Sequence, residues 1–109
     1  MKTETNQLEN GFLLVKIVGE VDVYTSIDLK KDLGKLVDAD KNKIIIDLLK
    51  VNYMDSSGLG VLVALLKQIK KKNGELKLVN LPISVKKIFD LTRLTKFFDI
   101  YETLEEATR

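Results

Sequence analysis

Residues 43–48 read Lys-Ile-Ile-Ile-Asp-Leu, a nearly continuous apolar run in a chain of which 31% is charged. A half-exposed strand alternates between apolar and polar residues, whereas a strand buried on both faces does not. Strands of that kind lie in the centre of parallel sheets, where helices cover both faces. The run therefore predicts the central strand of an α/β fold.

Two amphipathic segments flank this strand, at residues 26–38 and 57–72. Apolar residues recur in both at helical spacing with charged residues between them, which predicts helices with one buried face. The predicted buried faces comprise Leu29, Leu33, Leu36 and Val37 in the first helix, and Leu59, Leu62, Val63, Leu66 and Ile69 in the second. Thr25 or Ser26 is the expected N-cap of the first helix, and Asn73-Gly74 is expected to end the second.

The remaining segments alternate between strand and helix patterns. Residues 12–18 are rich in strand-forming residues, and the Asn10-Gly11 turn signal before them predicts a hairpin with a short strand at residues 3–8. The sequence Gly19-Glu20-Val21-Asp22 breaks the pattern and is expected to start a loop. Further along, a strand is predicted at residues 76–79, a helix at 82–91, a strand at 97–101 and a short helix at 103–108.

The order of these elements is strand, strand, helix, strand, helix, strand, helix, strand, helix. This alternation predicts an α/β fold with a single sheet of about five mixed strands, parallel in its centre, and about four helices packed on it. With 109 residues the chain has room for one hydrophobic core, so residues 1–109 are expected to form a single domain.

The composition argues against several classes of function. The chain contains no Cys, which excludes disulfides and thiol chemistry, and no His, the commonest general base and metal ligand. Its formal net charge is +2, whereas nucleic-acid-binding domains carry a clear basic excess. Residues 1–6 are polar and unlike a secretory signal, and no apolar run reaches the ~20 residues of a membrane-spanning helix. We therefore expect a cytoplasmic protein that uses no cofactor or metal and binds no nucleic acid or membrane directly.

The stretch Tyr53-Met54-Asp55-Ser56-Ser57-Gly58-Leu59-Gly60 lies between the central strand and the second helix. Functional sites of open α/β sheets form at the carboxyl ends of strands, where helix N-termini expose unpaired N–H groups. An Asp or Ser there is also an ordinary helix N-cap, and that role accounts for one of these side chains. It does not require two serines and two glycines in succession, so the stretch is a candidate site.

Catalysis by these residues has little support in the sequence. A nucleophilic serine needs a base within hydrogen-bond reach, and without His the nearest candidate is Asp55, which is too weak a base at neutral pH. The sequence Gly58-Leu59-Gly60 lacks the spacing and the Lys of a phosphate-binding loop. The protein is therefore expected not to be an enzyme, and a serine hydrolase that depends on Ser56 is the alternative of the enzyme class.

Ser56 is better explained as the substrate of a kinase. A hydroxyl at an exposed helix N-terminus is accessible, and phosphorylation adds about −1.5 to −2 charges beside backbone N–H groups. The helix end tolerates such an anion, so the fold is expected to survive the modification. A protein docked over the site would be displaced, which gives a switch that requires no change of fold.

The chain resembles the bacterial anti-sigma-factor antagonists, which are stand-alone STAS domains. The resemblance spans essentially the whole chain and is carried by residues 19–25, 51–61 and 86–92. It implies that the unphosphorylated protein binds an anti-sigma factor serine kinase and thereby frees a sigma factor. It also implies that this kinase switches the antagonist off by phosphorylating Ser56 rather than Ser57, that a phosphoserine phosphatase reverses the modification, and that the free protein is a monomer.

The same resemblance implies a partner-binding surface around the phosphorylated serine. Its residues are Asp22, Asp55, Ser56, Ser57, Gly58 and Gly60. For Asp22 two interpretations stay open, a contact with the partner and a turn-forming role. A second function is also compatible with a STAS domain, namely a regulatory subunit of another complex such as a transporter or a stress-sensing assembly.

Three apolar residues, Ile27, Val61 and Leu65, fall outside the predicted buried faces of the two helices. Ile27 is expected to pack on the preceding loop, and Val61 and Leu65 to contact the neighbouring helix. The alternative for all three is that they belong to the partner-binding surface.

Overall fold

A computed structural model describes all 109 residues. The strands are β1 (Lys2–Gln7), β2 (Leu13–Val21), β3 (Lys43–Met54), β4 (Glu75–Val79) and β5 (Asp99–Tyr101). The helices are α1 (Thr25–Asp38), α2 (Ser56–Lys71), α3 (Ile83–Leu91) and α4 (Leu104–Ala107), and a 3-10 helix spans Thr95–Phe97.

The five strands form one sheet in the order β1-β2-β3-β4-β5. β1 and β2 form the predicted antiparallel hairpin, and every other neighbouring pair is parallel. The prediction of an α/β fold with five mixed strands and four helices is confirmed. Because β3 is the middle strand, its isoleucines are fully buried on both faces of the sheet.

The main core lies on the face of the sheet covered by α1, α2 and α3, where Ile44 and Ile46 contact the apolar faces of these helices. Ile45 points to the opposite face and packs in a smaller cluster with Ala107 of α4. Lys77 fixes α4 there, since its Nζ donates to the carbonyl oxygen of Ala107 at 2.7 Å and lies 4.9 Å from the centroid of the Phe12 ring. Helices thus cover the sheet on both sides, as the central apolar run predicts.

Two predicted strand boundaries are wrong. β2 continues through Gly19 and Glu20 to Val21, where a loop was predicted, and β3 continues from Leu48 to Met54. The two strands stay paired over this extension through two shifts of register. Exposed residues such as Leu49 interrupt the pattern of buried residues in this extension, so the sequence pattern does not indicate that β3 continues.

The last predicted strand is also shorter than expected. Phe97 ends the 3-10 helix and is 65% exposed, so β5 begins only at Asp99.

The predicted end of α2 is confirmed. Asn73, just after the helix, has a left-handed backbone with φ of 57°, as the Asn73-Gly74 pair predicts. No helix of the protein combines the length and the apolar character needed to cross a membrane.

Candidate functional site

The carboxyl ends of β2 and β3 lie side by side. Val21 and Met54, the last residues of the two strands, are paired across the sheet. The backbone N–H of Asp55 then donates to the carbonyl oxygen of Val21 at 3.1 Å. This bond joins the loop that begins at Asp22 to the start of α2, so the two predicted parts of the site form one surface.

Asp55 is the N-cap of α2. Its backbone is extended, and its Oδ1 accepts a hydrogen bond from the backbone N–H of Ser57 at 2.9 Å. The same Oδ1 also accepts a short hydrogen bond from the Ser57 hydroxyl. Asp55 therefore acts as the ordinary cap that the sequence suggests, and it also holds the side chain of the second serine.

Ser56 is the first residue of α2, and its side chain is exposed. No group of the protein forms a hydrogen bond with its hydroxyl, whereas the half-buried Ser57 is bonded to Asp55 through both its backbone and its side chain. Of the two adjacent serines, only Ser56 presents a free hydroxyl to solvent.

Asp22 organises the loop between β2 and α1. Its Oδ1 accepts hydrogen bonds from the backbone N–H groups of Tyr24 and Thr25, both at 2.9 Å. In return, the Thr25 hydroxyl oxygen accepts from the N–H of Asp22 at 2.9 Å and donates to the carbonyl of Glu20. Asp22 has the turn-forming role that the sequence left open, and its contact with a partner stays a prediction.

The charge of the Asp22 carboxylate is stabilised by this loop. The N–H of Thr25 contributes most to lowering the pKa of Asp22 below its ordinary value, and the N–H of Tyr24 and the Thr25 hydroxyl act in the same direction. Partial desolvation opposes them without reversing the shift.

The predicted N-cap of α1 is wrong. Thr25 is already the first helical residue, and neither Thr25 nor Ser26 caps the helix.

The loop held by Asp22 presents apolar side chains to solvent. Val23 is 60% exposed, Tyr24 81% and Ile27 57%. The expectation that Ile27 packs on the loop is wrong, and Val23 and Tyr24 are additions that the sequence analysis missed. Their signal was present in the sequence, since a valine and a tyrosine make up two of the three residues between β2 and α1. Clustered apolar side chains of this kind are typical of a protein-binding surface.

The two glycines of the motif differ in their surroundings. Gly58 is buried, and a Cβ there would lie 2.6 Å from Cγ1 of Val21 and 3.0 Å from Cγ of Met54. Gly60 is exposed, and a Cβ there would meet nothing within 4 Å. Gly58 is therefore required for packing of α2 onto the sheet, whereas Gly60 leaves a free patch of helix surface.

The remaining apolar residues of α2 contribute to the packing of the helices. Leu65 is buried in the main core, and Val61 packs against it in part. Both line a small groove of about 120 Å³ between α1 and α2, together with Leu33. The expected contact with the neighbouring helix is confirmed for both residues.

The surroundings of the Ser56 hydroxyl are open to solvent. Its hydroxyl has no base within hydrogen-bond reach, and Asp55, the nearest acid in the chain, is bonded to Ser57 instead. No group of three or more Asp or Glu residues is placed to hold a metal ion. The two largest concave surfaces, of about 460 and 320 Å³, are lined by residues from other parts of the chain. Ser56 thus lies on an open surface.

Comparison with known proteins agrees with this fold. A family model described as the STAS domain matches residues 4–107. The chain therefore belongs to the STAS domain family.

Within this family the similar proteins are anti-sigma factor antagonists. An anti-sigma-B factor antagonist of Bacillus subtilis is 40% identical over 100 residues, which cover 92% of this chain and 90% of the relative. A solved anti-sigma factor antagonist from Mycobacterium paratuberculosis is 29% identical with a TM-score of 0.88, over 97% of this chain and 89% of that one. A candidate antagonist from Thermotoga maritima is 27% identical with a TM-score of 0.89, over 96% and 90%.

A more distant likeness concerns the fold alone. The phosphorylated form of SpoIIAA, a cell fate determinant of Bacillus, is 20% identical with a TM-score of 0.74, over 97% of this chain and 96% of that one. The STAS fold is thus known in a protein that carries a phosphoryl group.

Proposed function

We propose that this chain binds an anti-sigma factor that is a serine kinase, and thereby releases a sigma factor. Phosphorylation of Ser56 by the same kinase ends the binding, and a phosphoserine phosphatase restores it. The protein is then a regulatory partner and not an enzyme. The observation that carries this proposal is the free, exposed hydroxyl of Ser56 at a helix start that is bonded, through the N–H of Asp55, to the end of β2, from which the loop with exposed Val23 and Tyr24 begins.

This combination supports both halves of the proposal. Exposed aromatic and aliphatic side chains provide the area that a protein partner can bury. A hydroxyl at the edge of that area is the position where a phosphoryl group interferes most, because its charge would have to be desolvated under the partner. Such a charge costs several kcal/mol in an interface, which corresponds to a loss of affinity of roughly a hundredfold or more.

The fold itself is expected to tolerate the modification. Ser56 occupies the first position of α2, where the positive end of the helix dipole stabilises an anion. Its hydroxyl makes no hydrogen bond that phosphorylation would break. The switch therefore acts on the surface presented to the partner and leaves the core unchanged.

The relatives favour the same partner class. The relatives from Bacillus subtilis and Staphylococcus aureus, which are similar over 92% and 89% of the chain, are named anti-sigma-B factor antagonists. The alternative function, a regulatory subunit of a transporter or stress-sensing assembly, has no such support among them. The alternative function as a serine hydrolase is also less favoured, because no base lies within hydrogen-bond reach of the Ser56 hydroxyl.

The test uses the purified chain, the anti-sigma-B factor of Bacillus subtilis and ATP with Mg²⁺. We expect a stable complex without ATP, and with ATP a gain of one phosphoryl group on the tryptic peptide 51–67, located at Ser56 by mass spectrometry. Ser56→Ala should bind and take up no phosphate, while Ser57→Ala should still be phosphorylated. Absence of both binding and phosphate, or phosphate confined to Ser57, would refute the assignment.

A further inference from the structure

We propose that Asp55 directs phosphorylation to Ser56 by engaging the hydroxyl of Ser57. The inference rests on the proposed function and adds to it a residue that determines which serine is modified. In this role Asp55 is a positioning residue, because it acts on the choice of acceptor and does not take part in the transfer.

The geometry that carries the inference is the unequal bonding of two adjacent serines. Oδ1 of Asp55 accepts hydrogen bonds from both the backbone N–H and the hydroxyl of Ser57. These two bonds fold the Ser57 side chain back over the start of α2, where it is half-buried. The hydroxyl of Ser56 has no partner and is exposed.

The transfer step explains why this difference matters. The serine Oγ forms a bond to the γ-phosphorus of ATP as the bond from that phosphorus to the bridging oxygen of ADP breaks. The hydroxyl proton passes to a base of the kinase. The Ser56 hydroxyl is exposed and makes no hydrogen bond, so its Oγ can approach the phosphorus directly. The Ser57 hydroxyl must first break its hydrogen bond to Asp55 and rotate its Oγ toward solvent.

Asp55 could in principle activate Ser57 instead, since a carboxylate that accepts a hydroxyl proton is a general base. Two features oppose this. The carboxylate already accepts the backbone N–H of Ser57, and the bonded Oγ lies against the helix cap rather than on the exposed surface. The two roles give opposite results when Asp55 is replaced, so experiment separates them.

The expected preference for Ser56 over Ser57 follows from the strength of the hydrogen bond between Ser57 and Asp55, which must break before Ser57 can react. A hydrogen bond to a charged group favours the bonded state by roughly ten- to a hundredfold, and a neutral one by roughly two- to tenfold. Asn at position 55 is therefore informative. It caps helices about as well as Asp, so it keeps the start of α2 in place while the bond to the Ser57 hydroxyl becomes neutral.

The experiment measures the ratio of Ser56 to Ser57 phosphate within peptide 51–67 after incubation with the anti-sigma-B factor of Bacillus subtilis and ATP. The chains compared are the unaltered protein, Asp55→Asn and Asp55→Ala. Because both serines lie on one peptide, weaker kinase binding lowers both signals and leaves the ratio unchanged. We expect the share of Ser57 to rise from the unaltered chain through Asp55→Asn to Asp55→Ala, by about tenfold or more in total.

Four other results would each contradict the proposed role of Asp55. An Asp55→Asn ratio equal to that of the unaltered chain, with a change only in Asp55→Ala, would mean that fraying of the helix start exposes Ser57, and would overturn the proposal. Exclusive Ser56 phosphate in all three chains would overturn it while leaving the proposed function intact. A fall of Ser57 phosphate in the variants would assign Asp55 the role of a base. No phosphate in any chain would refute the proposed function itself, and the inference with it.

Discussion

The backbone N–H of Asp55 donates to the carbonyl oxygen of Val21 at 3.1 Å. This single bond fixes the start of α2 against the loop that Asp22 organises. The exposed serine at the start of α2 and the loop that exposes Val23 and Tyr24 are therefore joined through the backbone. Under the proposed function, this surface would bind the partner without rearrangement, and a charge added to it would change affinity rather than fold.

Replacement of Gly58 by Ala should destabilise the protein, because the added methyl group would lie 2.6 Å from Cγ1 of the fully buried Val21. Overpacking of a core of this kind costs about 1–3 kcal/mol. Urea unfolding followed by circular dichroism measures the loss. An unchanged unfolding midpoint would show that α2 can shift away from β2, contrary to the role assigned to Gly58.

Gly60→Ala is the matched variant on the same helix. A Cβ there meets nothing within 4 Å, and Ala favours the helix by roughly 1 kcal/mol over Gly, so the free energy of unfolding should rise. If a partner approaches this patch closely, as the resemblance implies, the methyl group should weaken binding by about tenfold despite the higher stability. Titration calorimetry with the anti-sigma-B factor measures this, and unchanged affinity would remove Gly60 from the partner surface.

The contrast between these glycines shows where the sequence was informative and where it was not. The motif with two serines and two glycines lies, as predicted, between the end of the central strand and the start of α2. Its local pattern could not show that Gly58 faces Val21, because that contact joins residues far apart in the chain. The same limit applies to Leu65, which lies beside the predicted helical stripe but is buried against a second helix.

The strand boundaries failed for a related reason. The sequence predicted the fold class because the apolar run at residues 43–48 and the two helical stripes are local patterns. The extension of β3 to Met54 depends instead on pairing with β2, and exposed Leu49 breaks the apolar pattern there. Likewise, the sequence did not indicate that the loop with exposed Tyr24 begins where the ends of β2 and β3 lie side by side.

The Asp22 loop should make the stability of the protein depend on pH. Because the pKa of Asp22 is lower in the folded chain than in the unfolded chain, its carboxylate stabilises the fold above the unfolded pKa of about 3.9. That contribution is lost as the pH falls through the lower, folded pKa. Asp22→Asn should therefore be less stable than the unaltered chain at pH 7, and the difference should shrink below about pH 4. Unfolding midpoints in urea at pH 7 and pH 3 measure it, and a difference of the same size at both pH values would contradict this account.

Ser56→Glu should weaken partner binding by roughly a hundredfold while the unfolding midpoint stays unchanged, because the charge is added at an exposed helix start. Gln68→Glu is the control, since Gln68 is also exposed on α2 but lies in its last turn, at the other end of the helix from Ser56, and should leave binding unaltered. Titration calorimetry and urea unfolding report the two effects separately. Equal losses in both variants would show that net charge, and not the position of Ser56, governs binding.

Tyr24 should be the strongest single contributor to partner binding among the apolar side chains near Ser56. It is 81% exposed and held by its N–H bond to Asp22, so its removal should not disturb the core. Large aromatic residues at interface centres commonly contribute about 2 kcal/mol or more, so Tyr24→Ser should weaken binding by roughly thirtyfold. Leu91→Ser is the matched control, because Leu91 is 83% exposed but lies at the opposite end of α3 from the sheet edge that carries Ser56. If Leu91→Ser weakened binding as much as Tyr24→Ser, the partner surface would have to extend across α3, and the loop between β2 and α1 would lose its special role.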